Sequence, residues 1–179
     1  RRSSDLVTKS FVDQSLDTEV EGTATRGPEG ISVKMVKPDK TDHKLGQGWF
    51  PTEHLFELID KAERGENFYE TNLFDGSDKA DRVMTTSVVI GKRRQVTADD
   101  PEYPALGDLR RDSYWPVTMA YFDTSGDKAS AMLPIYSLAF KLHDNGVARD
   151  LLMDYGDYVL KGRLVDLALF DPHKDKCVR

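Results

Sequence analysis

Residues 51–65 read PTEHLFELIDKAERG, and this stretch decides the fold because it carries the one clear helical pattern in the chain. Pro51 and Thr52 mark the start of the helix. Glu53 lies in the first turn, where the helix dipole favours an anion, and Gly65 lies where a left-handed C-cap would fall. The apolar residues recur at helical spacing and form one stripe, made of Leu55, Leu58, Ile59 and Ala62. We therefore predict a helix from residue 52 to residue 64 whose apolar stripe packs on a sheet.

On both sides of the helix the sequence has the period of two that half-buried strands require. The predicted strands are 16–24, 31–35 and 40–45 before the helix, and 68–74, 83–90, 115–122, 133–142, 147–155 and 158–170 after it. Segment 158–170 is apolar on both faces, which favours a central strand. This pattern predicts a mainly β protein with antiparallel strands and one helix.

Residues 92–112 show no periodicity. They mix basic and acidic side chains and include Pro101 and Pro104. Ordering such a segment would cost entropy without burying much apolar surface. We expect an exposed loop here, within a single domain that spans residues 1–179.

Glycine and asparagine residues mark the predicted turns. Gly76 suits a tight connection between two strands, and Asn145-Gly146 is the strongest hairpin signal in the chain. Gly156 is expected to break a strand, and Gly162 to allow a close backbone approach.

Composition excludes several classes of protein. The 179 residues carry 25 Lys and Arg against 31 Asp and Glu, a formal net charge of -6, which argues against binding to nucleic acid. No apolar stretch reaches the roughly 18 residues that a membrane-spanning helix needs, so we expect no transmembrane segment. The single cysteine, Cys177, excludes an internal disulfide and a CxxC metal site within this sequence.

Candidate catalytic and metal-binding residues have simpler explanations as turns or dispersed side chains. Ser77 lies in a Gly-Ser-Asp turn and lacks the Gly-x-Ser-x-Gly context of a hydrolase nucleophile. Three carboxylates lie close together in sequence, at Asp75, Asp78 and Asp81. Their spacing is not that of a calcium-binding loop. The four histidines are His43, His54, His143 and His173. No two of them are four residues apart, which excludes a zinc site of the HExxH type. We predict no catalytic residue, no cofactor and no metal site.

Several aromatic residues flank the helix in sequence and are Trp49, Phe50, Phe68, Tyr69 and Phe74. They could line a ligand groove beside the helix. Core packing is the favoured interpretation, because aromatic residues in strands usually bury their rings.

The chain contains four separated segments that read FPTEHL at 50–55, ETNLFDGSDKADRVMTTSVVI at 70–90, WPVT at 115–118 and FKLHDNGVARDLLMDYGDYVLKGRL at 140–164. In this order they resemble the EipB family of bacterial cell-envelope integrity proteins. The resemblance covers most of the chain from about residue 50 onward. It implies a periplasmic location in Gram-negative bacteria and a β-spiral, which is an incomplete, curved antiparallel barrel wound around a helix.

The resemblance also implies a longer protein. Members of the family have a signal peptide, further N-terminal strands and a cysteine pair that joins the early part of the domain to the C-terminus. Cys177 matches the C-terminal member of that pair, and its partner has no counterpart in this sequence. We therefore expect this chain to lack the N-terminal strands of its family.

The family offers no established catalytic residue to transfer. The resemblance therefore favours a non-enzymatic periplasmic protein that maintains the envelope by binding a protein or an envelope component. The sequence identifies neither this binding partner nor the oligomeric state. One alternative is a carrier of a lipid or another apolar ligand. A third is a hydrolase that acts on envelope material.

The cysteine match gives a first testable prediction. In a full-length, oxidised protein that includes the upstream strands, Cys177 is expected to form a disulfide with an upstream cysteine. Mass spectrometry after alkylation without reductant should leave Cys177 unlabelled. Complete labelling of Cys177 in native protein would contradict the pairing.

Overall fold

The structure is a computed structural model, and it describes residues 7–15, 18–74, 76, 81–97, 113–124, 132–144 and 146–162. The helix is α1, Pro51–Glu63. The strands are β1 Val7–Ser15, β2 Thr18–Gly27, β3 Gly30–Lys37, β4 Asp42–Leu45, β5 Phe68–Leu73, β6 Met84–Ile90, β7 Arg94–Gln95, β8 Ser113–Phe122, β9 Tyr136–Leu142, β10 Ala148–Asp154 and β11 Val159–Gly162.

The strands form two sheets in which the named strands pair antiparallel. The first sheet is a meander in the order β1-β2-β3-β4. The second has the order β11-β10-β9-β8-β6-β5, and β7 adds to β8 outside that path. The prediction of a mainly β protein with antiparallel strands and a single helix in this region is confirmed for the described residues.

Two parts of the strand prediction change. β7 falls inside the segment predicted as a loop, where it pairs Arg94 with Tyr114 and Gln95 with Ser113, and residues 98–112 lie outside the described residues. Of the closing strand predicted over residues 158–170 as central, the structure describes β11, which lies at the end of the second sheet among the described residues, and all four of its residues are exposed. Residues 163–170 lie outside the described residues. Apolar residues on both faces of a strand indicate burial only when other elements cover both faces.

The helix begins and ends close to the predicted residues. Its N-cap is Phe50, which makes no side-chain capping hydrogen bond, and Pro51 occupies the first turn, where its missing N–H costs nothing. At the other end the Gly65 N–H donates to Ala62 O at 3.1 Å and the Glu66 N–H donates to Lys61 O at 3.0 Å. Gly65 has a φ of +76°, so this is the left-handed glycine cap that the sequence predicts.

The larger core lies between α1 and the second sheet. Leu58 is fully buried and Ala62 nearly so, while Leu55 and Ile59 are half-buried against the same cluster. The sheet contributes alternate residues of its strands, Leu73, Met84, Val88, Ile90, Trp115, Val117, Met119, Tyr121, Phe140 and Leu142. The helical stripe predicted from residues 51–65 therefore makes the expected contact.

A smaller core joins the first sheet to the ends of the helix and of β5. Phe50 and Phe74 are buried there in an edge-on pair with ring centroids 6.0 Å apart. Trp49 forms a parallel bridge with Leu73, in which the Trp49 N–H donates to Asn72 O at 2.9 Å and the Phe74 N–H donates to Trp49 O at 3.0 Å. The sheet supplies the rest of this core through Val20, Ala24, Ile31 and Val33.

An ion pair adds a second link between α1 and the first sheet. The Arg26 guanidinium on β2 donates two hydrogen bonds to the Glu53 carboxylate, at 3.1 and 2.6 Å. The same guanidinium lies 5.0 Å from the ring centroid of Trp49. A bidentate, partly buried pair fixes orientation better than an exposed one, so it sets how the start of the helix meets the sheet.

Two substitutions on α1 test the packing of the helix. We expect Leu58→Ala to lower the free energy of unfolding by about 2 to 5 kcal/mol, because it removes buried methyl groups and leaves a cavity. Phe56→Ala is the matched control: Phe56 is 57% exposed, and surface changes cost within about 0.5 kcal/mol. Urea unfolding followed by circular dichroism measures both. Equal losses of unfolding free energy in the two variants would show that the apolar stripe does not hold the helix on the sheet.

Candidate functional site

The helix leaves an apolar cavity of about 180 Å³ between itself and the second sheet. The cavity is open along one side, and its lining comes from α1, β5, β8, β9 and β10. The lining residues are Pro51, His54, Leu55, Leu58, Leu73, Met119, Tyr121, Leu138, Phe140, Ala148 and Leu151. An apolar concavity of this kind is the default location for a binding site in a domain without an assigned one.

The chemistry of the lining favours uncharged ligands. None of the eleven lining residues is Asp, Glu, Lys or Arg. His54 and Tyr121 supply the only polar side-chain atoms among them, and the Tyr121 hydroxyl lies 3.9 Å from Met119 Sδ. Burying an uncompensated charge here would be costly, whereas burying apolar groups is favourable.

His54 is held in a neutral hydrogen bond at the helix side of the cavity. Its ring is buried, and its Nε2 lies 2.8 Å from the Tyr69 hydroxyl on β5. Burial, with a smaller effect from the charge of Lys61, lowers the pKa of His54 to about 4. Burial also raises the pKa of Tyr69, with smaller contributions from Glu57 and Glu66. Both groups are therefore uncharged near neutral pH.

The sheet face that lines the cavity continues past it across β10 and β11. Met119 on β8 lies opposite Leu138, Leu138 lies opposite Met153, and Met153 lies opposite Leu160. Directly opposed residues share one face of a sheet, so these four side chains form a single apolar row. The row begins in the lining of the cavity and ends at Leu160, which is 50% exposed.

A ladder of tyrosines borders this apolar row. The rings in contact are Tyr121, Tyr136, Tyr155 and Tyr158, with successive centroid distances of 4.3, 5.3 and 4.7 Å; the first and last pairs are stacked and the middle pair is tilted. Tyr121, at one end of this series, is buried in the lining of the cavity, and Tyr158, at the other end, is 55% exposed. We name these four residues the tyrosine ladder.

A cluster of polar side chains lies on the face of β8 and β9 that points away from the cavity. Two cations lie near the ring of Tyr114 there, with the Lys141 ammonium 4.9 Å and the Arg149 guanidinium 5.9 Å from its centroid. Arg149 and His143 are both buried, and burial, followed by the charge of Arg149, lowers the pKa of His143. Lys141 pairs with Asp150 at 3.1 Å. Asp150 has a φ of +54° and lies in an irregular part of the ladder between β10 and β9.

The predicted turn glycines occupy positions that suit glycine where the structure describes them. Gly76, Gly146 and Gly156 have φ values of +76°, +84° and +86°. A Cβ added at Gly162 would lie 3.2 Å from the Cβ of Leu151, so β11 approaches β10 closely there. Asn145 lies outside the described residues.

Other sequence candidates are scattered or lie outside the described part of the chain. Cys177, Ser77, His173, Asp75 and Asp78 are not among the described residues. Asp81 instead receives two hydrogen bonds from Arg82, both at 2.8 Å, and these lower the pKa of its carboxyl. Across the described residues no group of three or more His, Cys, Asp or Glu side chains is placed to hold a metal ion.

The aromatic residues near the helix separate into different environments. Phe50 and Phe74 are core residues, Trp49 and Tyr69 are half-buried, and Phe68 is exposed. None of the five lines the cavity. Sequence reasoning missed the strand residues that do, such as Met119 and Leu138, because nothing local distinguishes them from ordinary core residues.

Within the described residues, the fold and the cavity together define a class of protein: mainly β and antiparallel, with an open apolar concavity beneath one helix. A family model described as EipB-like matches residues 3–171. The chain belongs to that EipB-like family, as the four sequence segments indicated.

A curated protein and a solved structure, both from Brucella abortus, are similar to this chain. The chain is 46% identical over 171 residues to the cell envelope integrity protein EipB of strain 2308, an alignment that covers 96% of this chain and 60% of that protein. The structure is similar to the crystal structure of a β-barrel-like protein of a domain of unknown function, with a TM-score of 0.76 and 43% identity. That match covers 92% of this chain and 68% of the solved chain. The chain thus spans about three fifths of the curated relative's length.

The described helix is too short to cross a membrane. α1 has 13 residues, and among the described residues no helix is both long and apolar enough to span a bilayer.

The buried histidine predicts a pH dependence of stability. An unfolded histidine titrates near 6.5, and His54 in the folded protein titrates at about 4. Between these values the unfolded state binds more protons. The free energy of unfolding should therefore fall as the pH is lowered from about 6.5 to about 4, by up to about 1.4 kcal/mol per pH unit from this one group.

Two variants isolate this effect. His54→Gln keeps a polar group beside Tyr69 but does not titrate, so the slope of unfolding free energy against pH should decrease by about one proton. His143, whose pKa is lowered in the same direction, maintains part of the slope in that variant. Tyr69→Phe removes the hydrogen bond but leaves the titrating ring, so its slope should persist. An unchanged slope in His54→Gln would contradict the assignment.

Proposed function

We propose that the chain is part of a non-enzymatic periplasmic protein that maintains the integrity of the cell envelope by binding a protein or an envelope component. The observation that supports this most is the 46% identity over 171 residues to a protein named for cell envelope integrity. Identity at this level across 96% of the chain makes a shared general role the simplest expectation.

The lining of the cavity supports binding rather than catalysis. Nucleophilic and general acid–base catalysis need a nucleophile or carboxylate next to a base within hydrogen-bond reach. The residues that line the cavity include no Ser, Thr, Cys, Asp, Glu or Lys. Its one histidine is hydrogen-bonded to Tyr69 and is a weak base because of burial.

We also propose that the two sheets continue into a single spiral wound around α1, within one domain spanning residues 1–179. The helix contacts both cores, through Leu58 on one side and the adjoining Phe50 on the other. The ion pair between Arg26 and Glu53 ties the first sheet to the same helix. The family match over residues 3–171 and the barrel-like relative support one continuous unit.

A second candidate function is favoured by the cavity itself. A cavity with no charged lining residue, open along one side, suits an apolar ligand better than it suits a folded protein partner. In this form of the proposal the protein carries a lipid or another apolar compound in the periplasm.

Deletion of the gene for the full-length protein tests the proposed function. The deletion strain should become more sensitive to detergents and to cell-wall-directed antibiotics, because a binding component of the envelope is lost. A plasmid copy with its export signal should restore resistance, whereas a copy retained in the cytoplasm should not. Wild-type resistance of the deletion strain under every envelope stress, or full rescue by the cytoplasmic copy, would overturn the proposal.

A further inference from the structure

We propose that the cavity beneath α1 and the adjoining apolar row bind one acyl chain of an envelope lipid, with the chain end in the cavity and the polar end of the lipid beside the tyrosine ladder. This inference rests on the proposed function in its carrier form, and it names the ligand class and its orientation.

The lining selects the chemistry of the ligand. Its side chains are aliphatic, aromatic or thioether groups, and its polar side-chain atoms are the Tyr121 hydroxyl and the ring nitrogens of His54, which is neutral and already hydrogen-bonded to Tyr69. A charged or strongly polar group placed there would lose its hydration without compensation. A methylene chain loses nothing of that kind, and each methylene moved out of water strengthens binding about fourfold.

The volume selects one chain rather than two. A dry apolar cavity of about 150 Å³ in another protein holds a single benzene molecule. The cavity here, at about 180 Å³, therefore has space for a six-carbon fragment or slightly more. Sites for larger ligands usually start at about 300 Å³, so a whole lipid does not fit inside.

The remainder of the chain has a path along the sheet. The row from Met119 through Leu138 and Met153 to Leu160 leads from the lining to the exposed end of the face. Leu160 at the end of this row is half exposed. An acyl chain lying along this row would cover apolar surface that is otherwise in contact with water.

The tyrosine ladder sets the orientation. Tyrosine combines an apolar ring with a polar hydroxyl and is enriched where apolar and aqueous surroundings meet. The ladder runs from Tyr121, buried in the lining, to Tyr158, which is 55% exposed. Its exposed end is therefore the suitable place for the polar end of the lipid, and its buried end for the chain.

Binding of single-chain amphiphiles to the delipidated, purified chain tests this proposal. Isothermal titration calorimetry would use fatty acids of six to fourteen carbons and lysophospholipids of the same chain lengths, all below their critical micelle concentrations. Affinity should rise about fourfold per methylene and then level off once the cavity and the row are filled. Fatty acid and lysophospholipid of equal chain length should bind within tenfold of each other, because the chain is what is recognised.

Two variants locate the site. Ala148→Phe places a ring in the cavity and should weaken binding of dodecanoate at least tenfold. Val89→Phe is the matched control, because Val89 lies half exposed on the other face of β6 and adds the same bulk away from the cavity. If circular dichroism shows that Ala148→Phe does not fold, Leu138→Ala replaces it. This substitution enlarges the cavity, so the affinity should stop rising at a longer chain length than in the wild type.

Three results would overturn the inference. The first is no binding of any chain length by folded protein at concentrations up to the critical micelle concentration. The others are equal binding by the wild type and Ala148→Phe, and a preference for one head group greater than tenfold. If no acyl chain binds but the deletion strain has an envelope defect, the proposed function stands and this ligand is excluded. If acyl chains bind but the deletion strain has no defect, the ligand stands and the proposed function is excluded.

Discussion

The packing of one helix against two sheets is the constraint on which the rest of this structure depends. Leu58 is fully buried against the second sheet, while Phe50, directly before the helix, is buried against the first. A helix of 13 residues is too short to be stable by itself in water, so these contacts decide whether it forms. In turn, each sheet has an apolar face that the helix or its flanking residues cover.

The polar groups at this junction follow from its burial. His54 faces the interior from the same helix and is kept neutral by that burial, and Tyr69 satisfies its Nε2. Glu53, one residue earlier, is only partly buried, and its carboxylate accepts two hydrogen bonds from Arg26. Neighbouring positions on one turn thus meet different surroundings, a neutral hydrogen bond beside the cavity and an ion pair beside the first sheet.

The cavity is what remains where the helix does not reach the sheet. α1 covers β5 and β8 near Leu73 and Met119, and the sheet continues beyond it as a row of apolar residues beside the tyrosine ladder. A fully packed interface would have filled this space with side chains, as protein interiors usually do. An open apolar space bordered by amphipathic rings is a shape that stability alone does not require, and for this reason we connect it with binding.

The sequence by itself determined the helix, its glycine cap at Gly65, most of the strands and the family, because these depend on local periodicity, turn chemistry and ordered motifs. Only the tertiary structure decided that His54 is buried beside Tyr69, that β11 lies at the end of its sheet among the described strands, and that Leu55 and Leu151 line one cavity. Periodicity shows which face of a strand is apolar, but it does not show what covers that face. A cavity is a gap between elements that are distant in sequence, so its existence depends on how far apart packing leaves them, and no local pattern records that distance.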